Sequence, residues 1–478
     1  MTASAPRLWV FHLFLLLVAL IPWRPAFGQQ RGLEAVHQYI RGEMQRQHIP
    51  GISVAILRNR RVLLKQGYGY ANLELHVPAS DSTVYQSGSV GKQFTAALVA
   101  TLAEQGRLDL NDTIIKWFPE GAKVWRGVTV RHLLTHTSGV AEYTDSTFDY
   151  RKDYTEDQLV QFAVSRPLDF PPGDRWAYSN TGYLLLGVLI HRLTGRFYGD
   201  LLQSVIFGPL QMATTRIISE ADIIPNRAAG YQRVKGRIQN QDWVAPSLNT
   251  TADGSLYFSI NDLIRWASSL DERHIPDAGV LQLAWAPVRL NDGGLYPYGF
   301  GWDLTPQRGH PRIGHTGSWQ GFKTAIYRYP EYGLTVIALA NLAEAEPGPI
   351  AEGIAGLLEP GLVPPHRLTS NLPGATPPQP PARLLERLLH HADTSGITPG
   401  FRRFLSADAR DELRPRLDSL DALRFLGCDD LTGRSLVWLS SPLAQGCYVT
   451  AKGADERAVL SLYYTGDWRL AFLDVSRY

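Results

Sequence analysis

Leu33, Val36, Ile40 and Met44 recur three and four residues apart, so residues 31–46 predict an amphipathic helix. The period then changes. In residues 51–57 the bulky positions alternate, which puts Ile52, Val54 and Ile56 on one face of a strand, and the polar run 58–61 turns the chain into a second strand over residues 62–71. The same pattern returns over residues 323–341, with residues 330–333 as the turn and a helical segment near 348–358 after it. Helical patterns between the two hairpins fall at 156–165, 181–194 and 260–270. Two hairpins separated by helices predict an α/β (α+β) fold. Its antiparallel sheet is formed from both ends of the domain, with helices packed on it and a helical region inserted in the middle.

Residues 362–381 break this pattern, with too many prolines for a helix or a central strand. They predict a main domain over residues 29–361, a stiff linker over 362–383 and a small C-terminal α+β module over 384–478. The main domain is expected to fold without that module. Within the module, helical patterns cover 382–393 and 409–426, and alternating strands cover 435–441, 446–451, 458–465 and 469–475. At the other end, Arg7, an apolar stretch over residues 8–21, Pro22 and the small-residue pattern Ala26-Phe27-Gly28 predict a signal peptide over residues 1–28. A membrane span needs about 20 apolar residues, more than this stretch offers. The expected location is therefore periplasmic or secreted, with no integral membrane segment after signal removal; an uncleaved N-terminal anchor is the alternative.

At 478 residues and 44% hydrophobic side chains, the chain is long enough for a large core. Its 47 basic side chains exceed its 45 acidic ones by two, and Arg7 and Arg24 of the signal segment account for the whole excess. A neutral exported chain gives no electrostatic case for a nucleic-acid partner or an anionic membrane surface. Cys428 and Cys447 are expected to form a disulfide, since export places them where such bonds persist. Two cysteines alone do not make a structural zinc site.

Candidate chemistry begins with one lysine. Between Asp81 and Glu104, Lys92 is the only charged side chain, on an apolar helix that starts near Ser89 and stops at Gly106. A buried ammonium one turn from a serine helps deprotonate the hydroxyl, and the helix N-terminus favours the negative charge that develops there. The bland reading is a chance Ser-x-x-Lys, which the uncharged surroundings oppose. Tyr178 and Asn180 stand at the mouth of a second apolar helix, with no charge from Trp176 to Ile190. A phenol beside an ammonium suits a general base, and Asn180 suits a substrate carbonyl. A third segment, His315-Thr316-Gly317-Ser318, forms a glycine-rich strand edge, where the backbone N–H groups of Ser318 and Ser89 suit an oxyanion.

Ser89-x-x-Lys92, Tyr178-x-Asn180 and His315-Thr316-Gly317, in this order, resemble the three motifs of the serine β-lactamase and penicillin-binding-protein superfamily. The closer likeness is to class C β-lactamase-like serine hydrolases, including carboxypeptidases, D-aminopeptidases and esterases. The stretches at 128–139, 253–263 and 298–302 share the likeness, which covers roughly residues 31–360. The resemblance implies a covalent acyl-enzyme without cofactor or metal, acting on a small peptide, ester or β-lactam. It carries nucleophile onto Ser89, base or electrostatic partner onto Lys92 and proton shuttle onto Tyr178, with Asn180 and His315 to Gly317 positioning substrate. Typical members have lysine where His315 stands, and a mostly neutral imidazole argues against efficient β-lactam hydrolysis.

Three lookalikes are read as structural. His132 and His136 have the spacing of two metal ligands on a helix, but no glutamate follows the first, so they are expected to pack beneath the active-site floor. Gly51 to Ala55 mimics a nucleophile elbow yet runs into a strand. Tyr70-x-Asn72 ends a strand. The rival to catalysis is a non-catalytic penicillin- or peptide-binding or sensing protein that uses the same cleft.

Overall fold

The computed structural model describes residues 25–477 except 144–147, 369–371, 373, 392, 405–421, 435, 437–438, 440 and 453–456. The expected signal segment lies almost wholly outside the described residues, and the first described helix, Pro25–Gln47, runs through its expected end. Among the described residues no helix is long and apolar enough to cross a membrane.

A six-stranded antiparallel sheet forms the frame. Its strand order is Ile313–Trp319, Phe322–Tyr329, Leu334–Ala340, Gly51–Arg58, Arg61–Asn72 and Val77–Pro78. Pairing from Ile52 with Ala340 to Arg58 with Leu334 joins the late hairpin to the early one, so the sheet is built from both ends of the domain. The strand Gly51–Arg58 is central and buried on both faces. Its alternation sends Ile52, Val54 and Ile56 to a core shared with Val36, Ile40, Ile350 and Ile354 of the flanking helices. Ala55 and Leu57 face the larger core of the helical region, which holds Phe94, Leu98, Leu185 and Trp266.

Helices Glu156–Val164, Asn180–Thr194 and Ile260–Glu272 occupy the predicted stretches, each opened by a Thr or Ser cap. The helix Lys92–Glu104 is buried at ten positions between Lys92 and Leu102, and Gly106 follows its end at a φ of 69°. A small three-stranded sheet of Tyr85–Gln86, Leu256–Phe258 and Arg216–Ile217 was not predicted. Strands of two or three residues are too short for alternation to register.

The C-terminal region contains the helix Pro381–His390 and a four-stranded antiparallel sheet of Ala422–Asp430, Gln445–Lys452, Arg457–Tyr464 and Leu470–Arg477. Two expectations are corrected here. The helical pattern over 409–426 lies mostly outside the described residues, and its end, from Ala422 on, is a strand paired with Gln445–Lys452. The described residues of 435–441 belong to no strand. Cys428 and Cys447 face each other across the sheet and are bonded.

The C-terminal region and the stretch that leads to it are tied to the main domain at specific points. Arg308 clasps Asp429 through Nε at 2.8 Å and Nη2 at 2.6 Å, and the Gln307 amide donates to the Leu362 carbonyl at 2.5 Å. Leu362 itself is fully buried in the core behind the main sheet.

Candidate active site

Ser89 lies in a tight turn, Gly88–Gly91, that leads directly into the helix beginning at Lys92. The Lys92 side chain is fully buried, and its three N–H bonds have three acceptors: Ser89 Oγ at 3.1 Å, Asn180 Oδ1 at 2.7 Å and the Asp253 carbonyl at 2.5 Å. The Tyr178 and Tyr183 rings lie 4.9 and 5.4 Å from Nζ and add their faces to this cage. Polar and aromatic partners from three separate segments thus surround a side chain that is removed from water.

Asn180 opens its helix, capped by the Ser179 hydroxyl, which accepts from the Gly182 N–H at 3.1 Å. Its backbone N–H donates to Glu142 Oε2 at 2.5 Å, and its side-chain carbonyl faces Lys92. Tyr178 stands two residues earlier. Its hydroxyl is buried and has no hydrogen-bond partner among the described residues, so it remains free to exchange a proton with a reacting group.

The edge strand Ile313–Trp319 runs against the Ser89 turn. Gly314 exchanges both backbone hydrogen bonds with Asp303 on the outer side, at 2.8 and 2.9 Å. Alternation therefore turns the N–H groups of Thr316 and Ser318 to that same open edge. There is no room between edge and turn: a Cβ on Gly317 would come within 2.2 Å of the Ser87 carbonyl and 3.0 Å of the Ser89 nitrogen. A Cβ on Gly88 would come within 2.3 Å of the Ser318 nitrogen. Glycine at both places lets the Ser89 turn and the strand at Ser318 approach closely, which an oxyanion site between their backbone nitrogens would need.

Ser89, Tyr178, His315, Thr316, Gly317 and Ser318 line an open cleft of about 410 Å³. His315 is 6% exposed, and its Nε2 and Nδ1 contact the Tyr298 hydroxyl at 2.9 Å and the Thr316 carbonyl at 2.5 Å. Burial pushes its imidazole down to about 4, with Lys92 acting in the same direction against the Thr316 carbonyl and Asp303.

All eight predicted residues therefore come together, from three separate stretches of chain. Tyr298, Asp253 and Glu142 were missed as individual residues. The stretches holding Tyr298 and Asp253 had been noticed only as part of the resemblance, and Glu142 has no local signal. The Asp253 carboxylate accepts from the Tyr143 hydroxyl at 2.9 Å, and its other oxygen is buried without a hydrogen-bond partner among the described residues. Of the lookalikes, His132 caps its own helix by accepting from the Thr129 N–H. His136 packs beneath Tyr178, with ring centroids 4.3 Å apart. No cluster of three metal-ligating side chains occurs among the described residues.

Comparison with known proteins places this geometry. The beta-lactamase family model matches residues 36–358. The chain belongs to the beta-lactamase family. Among curated relatives of this family, penicillin-binding protein 4* of Bacillus subtilis is 31% identical over 301 residues, 59% of this chain and 66% of its own length. A D-aminopeptidase of Gluconobacter oxydans is 29% identical over 318 residues, 65% of this chain and 59% of its own length. The match thus spans less than two thirds of either relative. The octameric penicillin-binding protein homologue from Pyrococcus abyssi shares the fold over 93% of this chain and 90% of its own, with a TM-score of 0.63 and 24% identity. D-amino acid amidase from Ochrobactrum anthropi SV3 shares it over 70% of this chain and 97% of its own, with a TM-score of 0.59 and 23% identity.

Proposed function

We propose that the protein is an exported serine hydrolase that cleaves an amide or ester through a covalent acyl-serine at Ser89, with D-amino-acid-containing peptides as the substrate class. The observation that carries this reading is the Lys92 side chain on Ser89 Oγ, beside the close approach of the Ser89 turn to the strand at Ser318. Ser89 Oγ attacks the substrate carbonyl carbon and its proton passes to Tyr178, which enters the step as the phenolate beside the Lys92 ammonium. The oxyanion is held by the N–H groups of Ser89 and Ser318. The intermediate collapses, the carbon–leaving-group bond breaks, and Tyr178 returns the proton to the departing amine or alcohol. Water then attacks the acyl carbon by the same route, releasing the acid and restoring the serine. The D-amino-acid part of the reading is supported by the D-aminopeptidase among the relatives.

The test is to label the purified protein with a fluorophosphonate and with a fluorescent penicillin and to map the adduct by mass spectrometry. Modification at Ser89, lost in Ser89→Ala, is expected. An adduct elsewhere, or wild-type turnover in Ser89→Ala, would overturn the mechanism. A stable adduct without turnover of any D-aminoacyl amide or ester would instead identify a capture protein.

A further inference from the structure

His136 does not touch the reacting atoms, yet the residues on both sides of Tyr178 are tied to it. The Ala177 N–H donates to the His136 carbonyl at 2.9 Å, and the Ser179 N–H donates to its Nδ1 at 3.0 Å. The ring lies fully buried under Tyr178, and the backbone holds a positive φ of 58°. A buried non-glycine residue keeps that conformation only where its surroundings require it.

These hydrogen bonds also set proton positions. A backbone N–H only donates, so Nδ1 of His136 is the accepting nitrogen and the neutral ring carries its proton on Nε2. That proton faces Tyr298 Oη at 3.1 Å, which directs the phenol proton to His315 Nε2 at 2.9 Å. His315 must then hold its proton on Nδ1, where it meets the Thr316 carbonyl at 2.5 Å. One arrangement satisfies every atom in the series. A proton on His315 Nε2 would aim two donors at the Tyr298 oxygen and leave a buried phenol proton without an acceptor. The groups facing His315 are Lys92 from its helix, the phenols of Tyr178 and Tyr298, and Asp303 from the segment before the edge strand. Of these groups Asp303 favours a cation there, as does the Thr316 carbonyl, and burial and Lys92 oppose it. Lys323, which also lines the cleft, lies in the field of Glu344 and Glu346.

We propose that His136 is a positioning residue with two outputs. Through Ala177 and Ser179 it places Tyr178, and through Tyr298 it locks His315 as the neutral Nδ1–H tautomer. The cleft then presents no cation at the third motif and selects leaving groups that carry no carboxylate beside the scissile bond. The selectivity part rests on the acyl-serine reading of the cleft; the tautomer part does not.

The test uses the full-length protein with 15N-labelled histidine, in spectra that report ring tautomers between pH 5.5 and 8. His136 is expected as Nε2–H and His315 as Nδ1–H throughout, and a His315 that is Nε2–H or charged at pH 7 overturns the proposal. In Tyr298→Phe the His315 midpoint should rise toward the ~6.5 reference. The ratio of kcat/KM for a carboxylated ester to that for its neutral analogue should then increase about tenfold from pH 8 to 5.5, against a flat ratio in the wild type. An unchanged midpoint with a flat ratio in the variant would also overturn the proposal. If Tyr298→Phe does not fold, the wild-type spectra decide alone. Failure of the acyl-serine reading appears separately, as absence of an adduct at Ser89 with the tautomers intact.

Discussion

At the level of single residues, the site turns on one buried charge whose partners come from distant segments. On the proposed acyl-serine mechanism, Lys92→Ala removes the stabilising cation and Tyr178→Phe removes the proton carrier. Each is expected to lower kcat by at least about 100-fold in a steady-state assay, with the fold retained by circular dichroism. The buried histidines make a second prediction, about stability. His315 is neutral in the folded state down to about pH 4 but takes up a proton near the ~6.5 reference when unfolded. Its contribution is therefore complete above about pH 6.5 and is lost as the pH falls through the window to about 4, by about 3 kcal/mol in total. His136, held well below the ordinary range by burial, acts in the same direction. The expected melting temperature is flat above that window and falls below it, and His315→Gln should flatten the acid limb. A melting temperature independent of pH from 7 to 4 would contradict this assignment.

At the level of elements, the contact between the edge strand and the Ser89 turn sets the geometry of the proposed oxyanion site. Gly317→Ala forces a methyl onto the Ser87 carbonyl and the Thr324 hydroxyl, which itself donates to that carbonyl at 2.6 Å. The strand must move outward, taking the Ser318 N–H with it. Loss of one oxyanion donor is expected to reduce kcat by about 100-fold or more, with little change in KM. An equal rise in KM at unchanged kcat would place the Ser318 donor outside the transition state. Long elements with one clear period were legible: both hairpins and the helices at 156–164, 180–194 and 260–272 stand where the pattern put them. The segment from Ala422 to Leu426 was not. Leu423 continues the three- and four-residue spacing of Leu413, Leu417 and Leu420 but also alternates with Phe425 as in a strand, and both remain about 40% exposed, so burial gives no local signal. Pairing with Gln445–Lys452 decides the matter.

At the level of the whole molecule, the C-terminal region is joined to the main domain, contrary to the few contacts its proline-rich connection suggested. Arg308 and Asp429 are 9% and 13% exposed at their side chains, and Tyr448 also donates to Asp429 at 2.9 Å. Asp429→Ala leaves a buried guanidinium unpaired and is expected to destabilise the protein by about 3 kcal/mol in chemical denaturation, with the active site intact. The helix Pro399–Phe404 packs near the short strand Leu295–Tyr296, and Tyr296 stacks on Trp176 beside Tyr178 at 4.2 Å. Truncation at Pro364 is therefore expected to lower both the melting temperature and kcat/KM; full activity in the shortened chain would mean that this contact does not reach the cleft. The sequence by itself determined the two hairpins, the uncharged helices and the three motifs. Each is written in a local period or in a charge missing where one is common. Only the tertiary structure decided that the Asn180 side chain and the Asp253 carbonyl meet Lys92, that His136 is bonded to both neighbours of Tyr178 and to Tyr298, and that Leu362, at the start of the proline-rich stretch, is buried in the core. Those are contacts between residues tens to hundreds of positions apart, and local pattern carries no record of which distant partner a side chain meets.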